Sequence, residues 1–195
     1  MVILKDELVK EEILKQAQGL FKQFGIKKTT MDDIATACGK AKSTLYHYFK
    51  SKEEVFDGVV YMELNNLREI VKQKVEEKTT LRDKFDTYVL EFYKEIINKV
   101  NLYRIMKHEL IHESLAQAHF DNITKYEISY ISKLLMEGLD NNELTGIERK
   151  EIPFFSEIMS AAYFGIVRYS LESDGSIDME KLQKVSDVFL PRLLV

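Results

Sequence analysis

The sequence is poor in cysteine, proline and glycine, and each shortage excludes a class of protein. Cys38 is the single cysteine among 195 residues, so a disulfide-rich scaffold is excluded and a reducing cytoplasm is the expected compartment. The two prolines are Pro153 and Pro191, which leaves residues 1–152 free to form long helices. Eight glycines and two prolines are also too few for the many turns of a β-sandwich or barrel.

Long hydrophobic runs are absent as well. The most apolar stretch is residues 152–171, and the ten uncharged residues between Glu157 and Arg168 fall well short of the ~18–20 that a membrane helix needs. Charged residues at positions 5–7 interrupt any apolar segment near the beginning, so no signal peptide is expected. The sequence therefore predicts a soluble protein with no membrane partner.

The net charge is low, but its distribution is uneven. The chain carries a formal charge of −4, which by itself argues against binding to nucleic acid. Residues 22–52 hold seven lysines and two aspartates, a charge of +5, and the rest of the chain carries −9. A short basic segment on an acidic chain is typical of a nucleic-acid-binding surface. A solvated lysine-rich surface would have the same charge and is the alternative at this point.

Hydrophobic periodicity and capping signals indicate an all-α fold of about nine helices, with no convincing strand. Hydroxyl residues at Thr30, Ser51 and Thr80 each stand three positions before a carboxylate, a pattern that predicts a helix start. Gly25 and the pair at 141–142 are among the predicted breaks. The expected helices span about 13–24, 30–39, 42–49, 51–78, 81–96, 101–113, 116–139, 150–173 and 178–190.

The second and third of these helices have the spacing of a helix-turn-helix. Such a motif needs a small residue in its first helix, a glycine four residues later for a turn of positive φ, and an apolar residue six further on. Ala35, Gly39 and Leu45 meet this spacing. Cys38 is then expected to pack as a small buried residue and not to act as a nucleophile. An ordinary helical bundle can contain the same three residues by chance, so the spacing alone leaves both interpretations open.

The third helix has two faces of different chemistry. Its apolar and aromatic residues Leu45, Tyr48 and Phe49 are expected to face inward. The residues expected on the outward face are Lys42, Ser43, Tyr46 and His47. That face has the size and polarity to enter a DNA major groove.

Two segments carry a specific resemblance to a known family. Residues 29–35 read Thr-Thr-Met-Asp-Asp-Ile-Ala, and residues 43–56 read Ser-Thr-Leu-Tyr-His-Tyr-Phe-Lys-Ser-Lys-Glu-Glu-Val-Phe. With these segments, residues 10–57 closely resemble the tetracycline-repressor (TetR) family of bacterial transcriptional regulators. The rest of the chain is similar to that family in helix count and total size.

The resemblance implies a DNA-binding surface. Thr30 looks like the threonine whose hydroxyl and helix N-terminus meet a phosphate, and Lys52 like the lysine that reaches a phosphate from the fourth helix. Tyr46 and Tyr48 match an aromatic pair that contacts the sugar-phosphate backbone, although Tyr48 also suits the core. The remaining residues assigned to the DNA surface are Thr29, Lys40, Lys42, Ser43, Thr44 and His47.

The segment also departs from the family pattern. Lys40 stands where an apolar residue is usual, and Ala41 where a serine N-cap is usual, a loss worth about 0.5–2 kcal/mol of local helix stability. Lys40 is expected to gain a phosphate contact in exchange. No arginine precedes Arg68, so base reading is expected to depend on Lys42, on thymine-methyl contacts from Thr44 and on DNA shape.

One further motif points to a different chemistry. Residues 108–112 fit H-E-x-x-H, the zinc-protease pattern, but the extended form requires a glycine and a histidine where this chain has leucine and alanine. His119 is roughly 16 Å from His108 along an unbroken helix, too far to share a zinc ion. We therefore expect no enzyme, metal or cofactor. A zinc hydrolase that uses His108, Glu109 and His112 is the remote alternative.

The expected domains are a helix-turn-helix domain at 1–52 and a ligand-binding and dimerisation domain at 53–195. Aromatic and methionine side chains at helical spacing are core residues first, and the resemblance raises the expectation of a cavity among them. The candidate ligand residues are Tyr88, Phe92, Tyr103, Met106, Tyr126, Tyr130 and Tyr163.

The helix at 150–173 is apolar almost all round, so one side is expected to pack on its own domain and the other on a second subunit. The residues expected at that interface are Ser160, Ala161, Phe164, Gly165, Arg168, Val185 and Phe189. The sequence thus predicts a homodimeric repressor released from a palindromic double-stranded DNA operator by a small hydrophobic ligand. A DNA-binding regulator without a small-molecule effector is the main alternative.

Overall fold

The computed structural model of the chain describes the backbone of residues 2–107, 113–173 and 178–194, and side chains for 6–96, 121–167, 169, 178–191, 193 and 194. Across these residues the fold is all-α, as predicted, and the one extended pairing is a bridge between Leu144 and Leu194. The helices are α1 (Val2–Lys28), α2 (Met31–Ala37), α3 (Lys42–Tyr48), α4 (Lys52–Glu76), α5 (Leu81–Lys107), α6 (Glu113–Asp140), α7 (Ile152–Ser173) and α8 (Met179–Phe189). Short 3-10 turns cover Arg149–Glu151 and Leu190–Arg192.

The observed helix bounds agree with those predicted from the sequence except in two places. The segments expected at 81–96 and 101–113 are joined in α5, because nothing between them interrupts the helical backbone through Lys107. The first helix begins earlier than expected, at Val2. Gly25 has φ 76° and ψ 164°, so it breaks the helical geometry of α1 where the sequence placed its end. Along the described parts of the chain, none of the helices is long and apolar enough to cross a membrane.

One compact unit is built from the described parts of Met1–Asn66 and Lys99–Ala116. Its core holds Ile13, Phe21 and Phe56, and the rings of the last two meet edge to face at 5.6 Å. Helix α4 approaches α1 closely, because a Cβ on Gly58 would lie 2.7 Å from a methyl carbon of Leu14. Phe24, at the end of the predicted first helix, is 47% exposed and lies just before the Gly25 break.

The other compact unit comprises Leu67–Asn98 and Gln117–Val195, within which the described helices are parts of α4, α5 and α6 with all of α7 and α8. Its core is rich in aromatic rings, and Phe85, Tyr88 and Tyr163 are fully buried. The apolar stripe predicted along α5 is therefore a core stripe. Helix α4 is continuous from Lys52 to Glu76 and supplies residues to both units, so the functional boundary expected between 52 and 53 stays a prediction.

Candidate nucleic-acid interface and aromatic cluster

The start of α2 is fixed by the capping box that the sequence predicted. The Thr30 hydroxyl accepts a hydrogen bond from the Asp33 amide at 3.2 Å, and the Thr30 amide donates to the Asp33 carboxylate at 2.8 Å. The Thr30 hydroxyl also donates to that carboxylate at 2.7 Å, and these bonds lower the pKa of Asp33. Thr30 is exposed, so the N-terminus of α2 is presented to the surroundings with its cap in place.

The turn between α2 and α3 has the geometry that the Ala-Gly-Leu spacing predicted. Gly39 has φ +60°, and its amide donates to the Thr36 carbonyl at 3.0 Å while the Lys40 amide donates to the Ala35 carbonyl at 3.0 Å. These two bonds form a Schellman motif, which requires a left-handed residue at its centre. Ala35 is 4% exposed and Leu45 is fully buried, so both ends of the motif are anchored in the core.

Cys38 sits at the end of α2 and is half-buried, less enclosed than the sequence suggested. Burial raises the pKa of the Cys38 thiol, and the nearby charge of Glu12 raises it further. A raised thiol pKa lowers the thiolate fraction, so the environment does not activate this cysteine as a nucleophile.

Helix α3 presents the outward face that the sequence predicted. Lys42, Ser43, Tyr46 and His47 are exposed, and Thr44 is partly exposed beside them. Ala41 is the N-cap and provides no side-chain hydrogen bond, as expected from its lack of a polar group. An exposed, basic and hydroxyl-rich helix of this kind can donate hydrogen bonds to phosphates and base edges.

Carboxylates pair with several of the residues expected to touch DNA, which sequence reasoning missed. The Lys42 ammonium lies 2.8 Å from a carboxylate oxygen of Asp32, and the Lys40 ammonium lies 3.1 Å from Glu12. Lys40 thus forms an ion pair within the unit, and its contact with a phosphate stays a prediction. No local pattern signals these pairs, because their partners stand 10 and 28 positions apart in the chain.

Tyr48 and Thr29 are also engaged within the protein. The Tyr48 hydroxyl donates to Asp6 at 2.9 Å, and its ring meets His47 edge to face at 5.0 Å. Thr29 is 1% exposed, and its hydroxyl donates to the Gly25 carbonyl at 2.8 Å. The expected DNA contact by Thr29 is therefore corrected: its side chain is turned inward, where its hydroxyl joins its own backbone amide in donating to the Gly25 carbonyl.

The start of α4 is capped by Ser51. Its hydroxyl accepts from the Glu54 amide at 3.2 Å, as predicted, whereas the Glu54 carboxylate accepts from the Lys50 amide at 2.6 Å. The reciprocal bond of the expected capping box thus falls one residue earlier than the N-cap. Lys52 is the first residue of α4 and is partly exposed, in a position to meet a phosphate.

The predicted ligand residues of the second unit form a stack of aromatic rings. Tyr88 stacks on Phe92 at 5.3 Å and on Tyr130 at 4.6 Å, and Tyr130 stacks on Tyr126 at 5.8 Å. The guanidinium of Arg68 lies 4.1 Å above the Tyr126 ring. The side chains of two further candidates, Tyr103 and Met106, lie outside the described residues.

Tyr163, the remaining candidate, is fully buried near the stack. Its ring lies 5.8 Å from that of Tyr93, and its hydroxyl shares a hydrogen bond of 2.8 Å with Ser186. The structure therefore brings five of the seven candidates into one unit, four of them deeply buried and Tyr126 partly exposed.

The residues expected at a dimer interface divide between the interior and the surface. Ser160 is 1% exposed and its hydroxyl donates to Glu127 at 2.6 Å, so this residue faces its own core and the expectation is corrected. A helix that is apolar all round does not reveal by its sequence which side faces inward. Ala161 and Gly165 are exposed, and a Cβ on Gly165 would meet nothing within 4 Å. Phe164, Val185 and Phe189 are partly exposed, and the Arg168 side chain lies outside the described residues.

The His108, Glu109 and His112 motif lies outside the described residues. In the parts of the chain that the structure does describe, no group of three or more histidine, cysteine, aspartate or glutamate side chains could hold a metal ion.

A capped first helix, a left-handed glycine turn and a second helix with an exposed basic face together define a helix-turn-helix DNA-binding protein. Comparison with known proteins agrees. Residues 13–59 match the family model of bacterial regulatory proteins of the tetR family. The helix-turn-helix lies in the matched segment, so residues 13–59 form a DNA-binding domain of this family.

The similarity to individual relatives extends over nearly the whole chain at low identity. QacR, an HTH-type transcriptional regulator of Staphylococcus aureus, is 26% identical over 189 residues, which cover 93% of this chain and 96% of that protein. A putative TetR-family regulator from Mesorhizobium loti matches with a TM-score of 0.72 at 15% identity and covers 97% of this chain and 98% of its own. Thermus thermophilus FadR, a TetR-family repressor in complex with lauroyl-CoA, matches with a TM-score of 0.65 at 21% identity and covers 95% of each.

Proposed function

We propose that the protein is a repressor that binds an inverted-repeat operator as a homodimer and is released from it by a small molecule. The observation that carries the DNA-binding part is the exposed face of α3, held by a helix-turn-helix whose cap, glycine turn and apolar anchor are all formed. A protein with this function acts in the cytoplasm and catalyses no reaction.

The outward face of α3 would enter the major groove. Lys42 is the side chain suited to guanine O6 and N7, and the methyl group of Thr44 is suited to the methyl group of thymine. Lys52 at the start of α4, Tyr46 and Thr30 at the α2 N-terminus would contact phosphates on either side of the groove. Because phosphate contacts carry no sequence information, the base preference is expected to come chiefly from α3.

Dimerisation is supported by the apolar surface of α7 and α8. Phe154, Tyr169 and Val188 are 68%, 66% and 51% exposed, so large apolar side chains of both helices lie at the surface. A shallow groove of about 330 Å³ is lined by Ile166 of α7 and by Lys181, Lys184, Val185, Val188 and Phe189 of α8. A two-fold dimer would hold two copies of α3 about one DNA turn (~34 Å) apart, which matches an inverted repeat.

The aromatic stack of the second unit supports the effector part of the proposal. Thermus thermophilus FadR was solved with lauroyl-CoA, so a protein of this fold takes a ligand with a long apolar chain. Helix α4 begins at Lys52, the proposed phosphate contact, and its Leu67, Val71 and Val75 are buried in the aromatic unit. A ligand that changes the direction of this helix would change the spacing of the DNA-binding helices in the dimer. Shifting the protein from mostly competent to mostly incompetent would need a ligand preference of about 10⁴-fold.

Selection from a random double-stranded DNA library, followed by fluorescence anisotropy on the recovered sequence, tests the proposal. We expect an inverted repeat bound by two chains, with log K falling against log salt at a slope of about −4 to −8. Lys150→Ala, a well-exposed lysine in the second unit, is the matched control for lysine variants of the helix-turn-helix and is expected to bind DNA as the wild type does. Recovery of no DNA above background, or an affinity independent of salt, would contradict the proposal.

The effector part is tested separately, by adding a library of hydrophobic small molecules to the DNA complex. Release by one class of compound supports a ligand-responsive repressor. A protein that binds its operator tightly and responds to none of these compounds would instead be a regulator without a small-molecule effector.

A further inference from the structure

The second unit buries two polar groups, here called the acceptor cluster: the Glu127 carboxylate and the Tyr88 hydroxyl. Glu127 is 2% exposed and lies on α6, while Tyr88 is fully buried and lies on α5. The Tyr93 hydroxyl donates to one Glu127 oxygen, and the Ser160 hydroxyl donates to the other at 2.6 Å. Glu127 is therefore held by two neutral hydroxyl groups from α5 and α7.

The acceptor cluster includes groups that lack a counter-charge or a hydrogen-bond partner among the described residues. Among the described residues, no basic side chain bonds to Glu127. The Tyr88 hydroxyl is fully buried and has no hydrogen-bond partner, and it lies within electrostatic range of Glu127. Buried polar atoms are almost always hydrogen-bonded, so an orphan hydroxyl near a buried carboxylate indicates a place for a donor that the described residues do not supply.

The surroundings of the acceptor cluster favour a positive charge. Tyr88 belongs to the stack with Phe92 and Tyr130, and the faces of such rings carry negative electrostatic potential that attracts cations. The outer end of the stack already shows this preference, because the Arg68 guanidinium lies over the Tyr126 ring. A carboxylate buried without a counter-charge is costly, and a cation entering the cluster would remove much of that cost.

The charge states of Glu127, Tyr88 and Tyr93 near neutral pH also favour a cation as the ligand. Burial raises the pKa of Glu127 to about 7, against the opposing effect of the Ser160 and Tyr93 hydrogen bonds. Burial also raises the pKa of Tyr88 and Tyr93, with Glu127 adding to the effect, so both phenols stay neutral. A cation would stabilise the ionised Glu127 and release the proton that it carries for part of the time at neutral pH.

We propose that the acceptor cluster binds a protonated amine carried on an apolar body, with Glu127 as its counter-charge and the Tyr88 hydroxyl as an acceptor for one of its N–H groups. This inference rests on the proposed function, since it names the chemical class of the effector. The apolar part would lie along the aromatic stack.

Three ten-carbon probes of different charge test this proposal: decylammonium, decan-1-ol and decanoate. Binding to the full-length protein is measured by calorimetry at pH 7 in two buffers of different ionisation enthalpy. We expect decylammonium to bind about tenfold or more tightly than decan-1-ol, and its binding to release a fraction of a proton. Decylammonium is also expected to lower the affinity for the selected operator.

Two variants locate the interaction, and a third is the control. Glu127→Gln keeps one acceptor oxygen, and its NH2 group can donate to whichever of the Tyr93 and Ser160 hydroxyls turns to accept. Tyr88→Phe removes a hydroxyl that has no partner among the described residues, so both variants are expected to fold. Each should weaken decylammonium about tenfold or more and leave decan-1-ol unchanged. Glu63→Gln changes another buried carboxylate, in the other unit beside Lys22, and should leave decylammonium binding unchanged.

The outcomes separate this inference from the proposed function. Equal binding of decylammonium and decan-1-ol, preference for decanoate, or an unaltered decylammonium affinity in Glu127→Gln would overturn the amine site. If decanoate or decan-1-ol still releases DNA in those cases, the ligand-responsive repressor stands and only the ligand class is wrong. Failure to bind DNA at all would instead contradict the proposed function.

Discussion

Lys42 on α3 and Asp32 on α2 form an ion pair across the helix-turn-helix, with the Lys42 ammonium 2.8 and 2.9 Å from the two Asp32 carboxylate oxygens. Both side chains are largely exposed, so the pair contributes little to stability. Its importance lies in its position, since Lys42 is the residue of α3 best suited to reading a base. The hydrogen bond that Lys42 donates to Asp32 raises the pKa of Lys42, so the pair favours the charged lysine.

Asp32→Asn is therefore expected to strengthen binding to DNA. The change frees Lys42 and removes a negative charge close to the phosphates, so affinity at low salt should rise severalfold and the salt slope should steepen by about one. Anisotropy titrations at several salt concentrations measure both quantities. Glu180→Gln, which breaks an exposed Lys184 pair in the other unit, should have no effect. Weaker binding by Asp32→Asn would mean that the pair holds α3 in its binding orientation.

Two lysine variants are expected to separate base reading from phosphate binding. Lys52→Ala should weaken all DNA sequences to a similar degree, because a phosphate contact carries no sequence information. Lys42→Ala should cost about 1–3 kcal/mol on the preferred operator and relax the preference at one base position. Affinities on a panel of single-base operator variants distinguish the two patterns. Parallel losses for both variants would assign Lys42 to the phosphates.

Ala41→Ser is expected to stabilise the protein by about 1 kcal/mol, because it supplies the N-cap that α3 lacks. The serine hydroxyl would accept from an amide in the first turn of α3, and the more ordered helix should also bind DNA more tightly. Thermal unfolding and amide hydrogen exchange in α3 measure the effect. Ala37→Ser, the same change at an exposed position in α2, is the control and should give no gain.

The buried carboxylate of Glu127 predicts a pH dependence of stability. Its pKa is raised from 4.5 to about 7, so between these values the folded protein binds more protons than the unfolded chain. Stability should therefore fall as pH rises from about 5 to 8, with a contribution from this group of up to about 3 kcal/mol. Urea unfolding at a series of pH values should show this fall in the wild type and a smaller one in Glu127→Gln. Parallel curves would show that Glu127 ionises normally.

Asn66→Gly tests whether α4 transmits the effector signal. Asn66 is exposed within α4 and is the last residue of the first unit before the second begins, so glycine weakens the helix there by about 1 kcal/mol without disturbing a core. We expect DNA and ligand each to bind as before, while ligand-induced release of DNA becomes weaker. Asn66→Ala keeps the helix and should behave as the wild type does. Undiminished release in the glycine variant would contradict the role of α4.

The features that the sequence predicted are local. The Thr30–Asp33 cap, the positive φ of Gly39 and the start of α4 each follow from residues within a few positions, where backbone chemistry allows few solutions. The exposed face of α3 followed from helical periodicity in the same way.

The features that were missed depend on contacts between distant residues. The Tyr48–Asp6 bond joins positions 42 apart, and the Ser160–Glu127 bond joins positions 33 apart. The sequence near these residues indicates neither bond. The burial of Ser160 against Glu127 could therefore not be predicted, and Ser160 was expected at a subunit interface instead. Phe24 continues the apolar periodicity of the first helix but is 47% exposed, while Ile26, just past the Gly25 break, is buried.

The carboxylates beside Lys40, Lys42 and Tyr48 have a consequence for how the protein would find its operator in a genome. For each of these residues, contact with DNA requires the side chain to leave an acidic neighbour, and that neighbour then stands near the DNA polyanion. This exchange penalises random sequence, where no base contact compensates for it. The protein should therefore spend little time on the vast excess of unrelated sites and move quickly between them, at the expense of some affinity for the correct one.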